Sequence, residues 1–195
     1  IQYDQLDGNM LLCAELIARR FGLISHVYVT AKKNNTKTDW STSTEYVACP
    51  LLEIGATMGV KPSMEFLGFV DQFNTIEDAL DVMERCGHPD ATTILDPFHV
   101  FRGGGDMESI LKLNPGQIAI SHFNDTPDTP PREEQHDHNR VMPGEGHLDL
   151  ARYCALLREI DYDGWLSLEL FNEKHWAEDP AEVARIGLEK MRVMG

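Results

Sequence analysis

The sequence predicts an α/β fold, and within that class a closed (β/α)8 barrel on a parallel sheet. Three observations carry the prediction. First, apolar runs of strand character alternate with helical patterns along all 195 residues, the pattern of parallel strands joined by helical crossovers. Second, 42% hydrophobic and 25% charged residues is ordinary globular composition, so one domain over 1–195 is expected. Third, Glu65, Asp96, His122 and Glu169 each stand at or just inside the end of a different predicted strand. An open doubly wound sheet gathers its site at one switch point. A barrel gathers side chains from the C-terminal ends of many strands into one mouth, and four ionisable strand ends fit the barrel better.

The elements follow in order. Asp7 to Gly22 sets Leu11, Leu12, Leu16, Ile17 and Phe21 at helical spacing and closes on glycine. Ile24 to Thr30 reads as a strand. Ser41 to Met58 reads as a helix that Pro50 breaks or kinks. Gly59 to Leu67 is a second strand. Thr75 to Cys86 is a helix with Glu77 and Asp78 in its first turn, where carboxylates suit the positive end of the helix dipole. Thr92 to Asp96 is a third strand, Asp106 to Leu113 a short helix, and Gln117 to His122 a fourth strand. Phe123 to His147 is a long polar loop rich in proline and histidine. Leu148 to Ile160 is a helix, Trp165 to Leu170 a fifth strand, and Ala181 to Met194 a closing helix. A barrel needs eight strands in about 250 residues, so about the first three are expected to be missing. The chain would then supply the C-terminal five β/α units.

Charge narrows the partners. A formal net charge of −15 opposes nucleic-acid binding, which draws most of its affinity from cationic contacts to phosphate. It also disfavours anionic membrane surfaces, and no apolar run approaches the ~20 residues of a bilayer span. The chain begins at Ile1 and shows no signal-peptide pattern. Cys13, Cys49, Cys86 and Cys154 are scattered with no CxxC pair. They read as small core residues in a reducing, cytoplasmic setting, without a disulfide framework or a thiolate zinc site.

Three carboxylates and one imidazole make a hard, oxygen-rich donor set, which suits Mn²⁺, Mg²⁺ or Co²⁺ and admits Zn²⁺. Burying three carboxylates together without a cation is costly. Each residue has a plainer explanation: a salt-bridged strand glutamate for Glu65, a strand-end turn for Asp96, a satisfied core histidine for His122. Glu169 lies in Leu-Ser-Leu-Glu-Leu-Phe, where a solvated face explains it poorly. The joint pattern is stronger than any member.

Five segments occur in a telling order: Ser63-Met-Glu-Phe66, Leu95-Asp-Pro-Phe-His99, Ser121-His-Phe-Asn-Asp125, Arg140-Val-Met-Pro-Gly-Glu-Gly-His-Leu-Asp149 and Ser167-Leu-Glu-Leu-Phe171. Together they resemble the xylose isomerase-like TIM barrel superfamily. That group includes sugar and sugar-phosphate isomerases and epimerases, inosose and dehydroshikimate dehydratases, and endonuclease IV. The resemblance is specific from about Val60 onward and only general over Ile1 to Gly59. It implies that Glu65, Asp96, His122 and Glu169 bind one divalent metal ion, and that Glu65 and Glu169 also do acid–base work. It implies that His99 lies near metal and substrate, and that Arg140 holds a substrate oxygen. The implied activity is isomerisation or epimerisation of a small sugar, sugar phosphate or related hydroxy-ketone through an enediolate. Dehydration on the same scaffold and a non-catalytic sugar-binding barrel are the alternatives. Related barrels often pair, so a homo-oligomer is possible.

Some residues keep two readings. Arg102 in Phe-Arg-Gly-Gly-Gly105 meets a substrate carboxylate or phosphate, since glycines let backbone approach a ligand, or is a surface arginine on a turn. The loop Pro131 to Arg140 holds His136, Asp137 and His138 but lacks the Asp-x-His element of endonuclease IV-like members. It reads as a substrate lid or a solvated turn. Lys32 and Lys33 read as solvated, His26 as structural, and Trp176 as packing or interface.

Overall fold

The structure is a computed structural model that describes residues 40–71 and 73–194. The helix expected over Asp7 to Gly22, the strand Ile24 to Thr30, and Cys13, His26, Lys32 and Lys33 lie outside the described residues.

Helix α1 spans Trp40–Met58 with Pro50 inside it; the proline does not end the helix. Strand β1 is Ser63–Glu65, shorter than the Gly59 to Leu67 run predicted. The reason is local, because Val60 N–H donates back to Gly55 O at 3.0 Å and Pro62 has no N–H for a ladder. Helix α2 is Ile76–Cys86 and β2 is Thr92–Leu95. Helix α3, Pro97–Arg102, was not anticipated. Its start is nonetheless written in the sequence. Asp96 is the N-cap, accepting from Phe98 N–H and His99 N–H, and Pro97 takes the first helical position. The short helix expected over Asp106 to Leu113 is a 3-10 helix, Met107–Lys112. Strand β3 is Ile118–Phe123, α4 is Leu150–Glu159, β4 is Leu166–Leu168 and α5 is Pro180–Met194.

The described chain divides into two compact units, 40–63 with 82–91, and 64–81 with 92–194. In the first, Cys49 of α1 and Cys86 of α2 form a disulfide with Cα atoms 5.2 Å apart. This corrects the expectation of unpaired core cysteines: the partners are 37 residues apart, and only the packing of two helices brings them together. Cys154 is buried and free, as expected.

The second unit carries the site. The sheet order is β1-β2-β3-β4, so strands that follow in sequence are neighbours in space, as crossover connections require. Strands β2 and β3 pair in parallel, as do β3 and β4, the latter with His122 beside Ser167 and Phe123 beside Leu168. All of β2 is buried, while β1 and β4 are intermediate. The core beneath the strand ends holds Leu95, Phe98, Ile110, Phe123, Tyr153 and Leu156. Tyr153 Oη lies 2.6 Å from Ser121 Oγ, which anchors α4 to β3.

Asp125 organises the loop between β3 and α4. Its buried carboxylate accepts from Thr126 N–H at 2.8 Å and from Gly144, Gly146 and Leu148 N–H at 3.0 Å each. A Cβ on Gly146 would stand 2.3 Å from that carboxylate, so the close approach demands glycine. Gln135, also buried, donates to Pro127 O at 2.7 Å and Pro130 O at 2.8 Å and accepts from Thr126 Oγ1. The long polar loop is therefore fastened from within. No helix among the described residues is long and apolar enough to cross a membrane.

The disulfide gives a direct check. In protein purified in air, Cys49 and Cys86 should resist alkylation under denaturing conditions until a reductant is added. Cys86→Ser should lower the free energy of urea unfolding by roughly 2–4 kcal/mol, the range for closing a loop of this size. Alkylation of both thiols without reductant would contradict the pairing.

Candidate metal centre

Four elements present one candidate ligand each. Glu65 ends β1, Asp96 follows β2, His122 lies next to the end of β3, and Glu169 follows β4. Four successive strands thus deliver four side chains at their C-terminal ends. One ligand atom from each falls within 4.8 Å of all the others. His122 Nδ1 lies 3.2 Å from Glu65 Oε1, 3.4 Å from Asp96 Oδ2 and 3.0 Å from Glu169 Oε2. Donors held about 2.1 Å from a tetrahedral ion lie roughly 3.4 Å from one another, so this spacing suits a small divalent cation. Glu65 Oε1 is buried and faces the His122 ring nitrogen, a carboxylate oxygen that a metal would satisfy in place of a ring proton. The residues fit the ion that their chemistry calls for.

The electrostatics agree. Burial would push the His122 imidazolium to lose its proton, but hydrogen bonding to Asp96, Glu169 and Glu65 and the Glu169 charge outweigh it and lift the pKa to about 11. Burial would raise Asp96, yet the charges of Arg140, His99 and His122 and the His122 hydrogen bond hold it well below the usual carboxylate range. Glu169 is likewise lowered, with burial opposed by His122 and Arg140. The carboxylates demand a cation in their midst, and a proton on His122 supplies one when no metal does.

Arg140 is the buried counter-charge. Its Nη1 donates to Glu169 Oε2 at 2.7 Å and lies 3.2 Å from Asp96 Oδ2, while Nη2 donates to Asp137 Oδ1 at 2.6 Å. Its guanidinium sits 4.8 Å from the Phe98 ring and 5.5 Å from that of Phe171, packing that suits a delocalised cation. Phe171 adopts φ +49, which turns the chain sharply two residues after Glu169. Opposing carboxylates raise the Arg140 pKa against the effect of burial.

His99 stands beside this cluster, its Nε2 3.9 Å from Glu65 Oε1. Gly68 N–H donates to its Nδ1 at 3.2 Å, and Arg140, which can only donate, faces Nε2, so each ring nitrogen meets a donor. Burial lowers the His99 pKa, and Arg140, with Nη2 3.0 Å from Nε2, adds to the effect against the pull of Asp96 and Glu65. A Cβ on Gly68 would meet Gly103 N at 2.6 Å and His99 O at 2.7 Å, so only glycine brings that N–H so close.

The structure thus brings together Glu65, Asp96, His122, Glu169, His99 and Arg140. It does not bring Arg102 with them. The Arg102 guanidinium donates to Gln135 O and Glu133 O at 2.8 Å each, and to Gly68 O at 3.5 Å. It binds two loops to each other through main-chain carbonyls. Sequence reasoning passed over Asn124 and the pairing of Asp137 with Arg140. Asn124 was findable, since it follows His122 by two residues, the period that keeps strand side chains on one face.

A family model described as xylose isomerase-like TIM barrel matches residues 4–194, and the chain belongs to that family. Its fold is the TIM barrel. The inosose isomerase of Bacillus licheniformis is 30% identical over 187 residues, which cover 95% of this chain and 66% of that protein. The 3-dehydroshikimate dehydratase of Pseudomonas aeruginosa is 35% identical over 124 residues, covering 63% of this chain and 20% of that one. The crystal structure of the IOLI protein with a binding zinc atom superposes with a TM-score of 0.83 at 25% identity, covering 98% of this chain and 72% of that chain. The chain spans 58% to 66% of the length of three Bacillus inosose isomerases.

His122 offers a test. In metal-free protein, NMR of the labelled imidazole should show both ring protons through pH 9 and a midpoint near 11. Because the folded pKa lies above the ordinary 6.5, the stability His122 adds is full below pH 6.5 and is lost as pH rises through about 11. Metal uptake at pH 7 should release about one proton per ion. A midpoint near 6.5 would contradict this electrostatic arrangement.

Proposed function

We propose that this chain is the metal-binding part of an isomerase or epimerase acting on a small sugar, sugar phosphate or related hydroxy-ketone. The observation that carries the reading is the convergence of four ligand atoms within 4.8 Å, with two glutamates among them that can also move protons.

Glu65, Asp96, His122 and Glu169 would hold one divalent ion, Mn²⁺, Mg²⁺, Co²⁺ or Zn²⁺. Bound there, it supplies electrophilic charge for a carbonyl oxygen and its neighbouring hydroxyl oxygen. Glu65 and Glu169 come from β1 and β4, the outer strands of the described sheet. One carboxylate takes the proton from the carbon beside the carbonyl, and the electron pair left behind moves onto the carbonyl oxygen to give an enediolate. Return of a proton to the other face of the same carbon is epimerisation. Return to the adjacent carbon is aldose–ketose isomerisation. His99, beside Glu65 and Arg140, lies near metal and substrate. Arg140 holds Glu169 in place and also serves a substrate oxygen. Asp137, whose side chain is 36% exposed, is the Arg140 partner that such an oxygen would replace.

Dehydration is the second reading, favoured by the 35% identical stretch shared with a 3-dehydroshikimate dehydratase. The same enediolate that expels a β-hydroxyl yields a conjugated enone instead of an altered stereocentre.

Elemental analysis of the purified protein, supplied with divalent ions and then dialysed, should give about one ion per chain, and Glu169→Gln should lose most of it. With metal bound, incubation with ketoses and inososes in D₂O should place deuterium on carbon, and Glu169→Gln should slow that exchange about 10²-fold or more. An ultraviolet enone band would select dehydration. Metal binding without exchange or elimination on any hydroxy-ketone would leave a sugar-binding barrel, and no metal at all would overturn the proposal.

A further inference from the structure

Asn124 lies just past β3 and is fully buried at 0% exposure. Its Nδ2 donates to both oxygens of Asp96, at 3.1 Å to Oδ1 and 3.2 Å to Oδ2. The chemistry fixes which end of the amide faces Asp96, since an ionised carboxylate only accepts. Its other end, Oδ1, is buried and makes no hydrogen bond.

The two Asp96 oxygens have different neighbours. Oδ1 accepts from Phe98 N–H at 2.8 Å and His99 N–H at 3.4 Å, the first turn of α3. Oδ2 faces His122 Nδ1 at 3.4 Å and Arg140 Nη1 at 3.2 Å. The helix start holds Oδ1, and Arg140 and His122 stand opposite Oδ2. Asn124, bonded to both oxygens, spans the two sets of partners and fixes the carboxylate plane between them. A residue chosen for packing alone would not leave a buried acceptor without a hydrogen bond, which costs stability. What the asparagine contributes is the pair of donors.

We infer that Asn124 is the positioning residue of the metal centre, setting the plane of the Asp96 carboxylate so that Oδ2 faces the ion. The inference rests on the metal-binding reading above. Partners of this kind orient ligands, and their loss typically weakens metal affinity 10–100-fold.

Asn124→Leu keeps the approximate shape and removes both donors, and Asn124→Ser keeps one. Zn²⁺ affinity of the full chain is measured for each by competition with a chelating dye, at a temperature where the metal-free variants are folded. Stability differences then do not enter the reading. Asn124→Leu should bind 10–100-fold more weakly than the unsubstituted protein, with Asn124→Ser between the two. Should Asn124→Leu not fold, a loss of threefold or more in Asn124→Ser carries the inference. Affinities within twofold of the unsubstituted protein in every folded variant would overturn it and leave Asn124 a packing residue. An unsubstituted protein that binds no Zn²⁺ overturns the metal reading itself, a failure seen before any variant is made.

Discussion

Three carboxylates drawn within a few ångströms of one another repel, and much of the second unit is arranged around answering that repulsion. Asp96 is fully buried and Glu65 nearly so, so water does not screen them. The charge is met from two directions. Arg140, itself buried, bridges Asp96 and Glu169 on one side. His122 sits among all three on the other, and its imidazolium form is favoured far beyond its ordinary range. A divalent ion in place of that proton would answer the same need more strongly.

The surrounding architecture keeps Arg140 and the ligands where this balance needs them. Asn172 Nδ2 donates to Arg140 O at 2.9 Å, and Asp125 bridges to Val141 next to it. Asp125 and Gln135 fasten the loop that delivers Arg140 and Asp137. Arg102 ties that loop to Gly68, whose N–H sets the His99 ring. The loop between β3 and α4 is thus a support for the charge balance, although its polar, proline-rich sequence shows no helix or strand pattern.

What could be read in advance follows from how far each signal reaches along the chain. Strand–helix alternation is local and periodic, so the order of elements from α1 to α5 was legible apart from α3. The convergence of Glu65, Asp96, His122 and Glu169 was legible because four charged residues at the ends of four apolar strands point to one shared mouth. Asp96 and Pro97 announce a helix start, yet α3 is only six residues, too short to show a period. Arg102 looked like a ligand for substrate because its type and its glycines suit one; its actual carbonyl partners lie 31 to 34 residues away. The Cys49–Cys86 bond and the Arg140–Glu169 pair also depend on the packing of distant elements, which no local pattern encodes.

The central claim is that Glu65, Asp96, His122 and Glu169 together bind one divalent ion. Anomalous diffraction from crystals grown with Mn²⁺ or Zn²⁺ tests it most directly. The account predicts one strong peak about 2.0–2.3 Å from an oxygen of each carboxylate and from a His122 ring nitrogen. An empty position there, or an ion held by other residues with these four still paired among themselves, would contradict it.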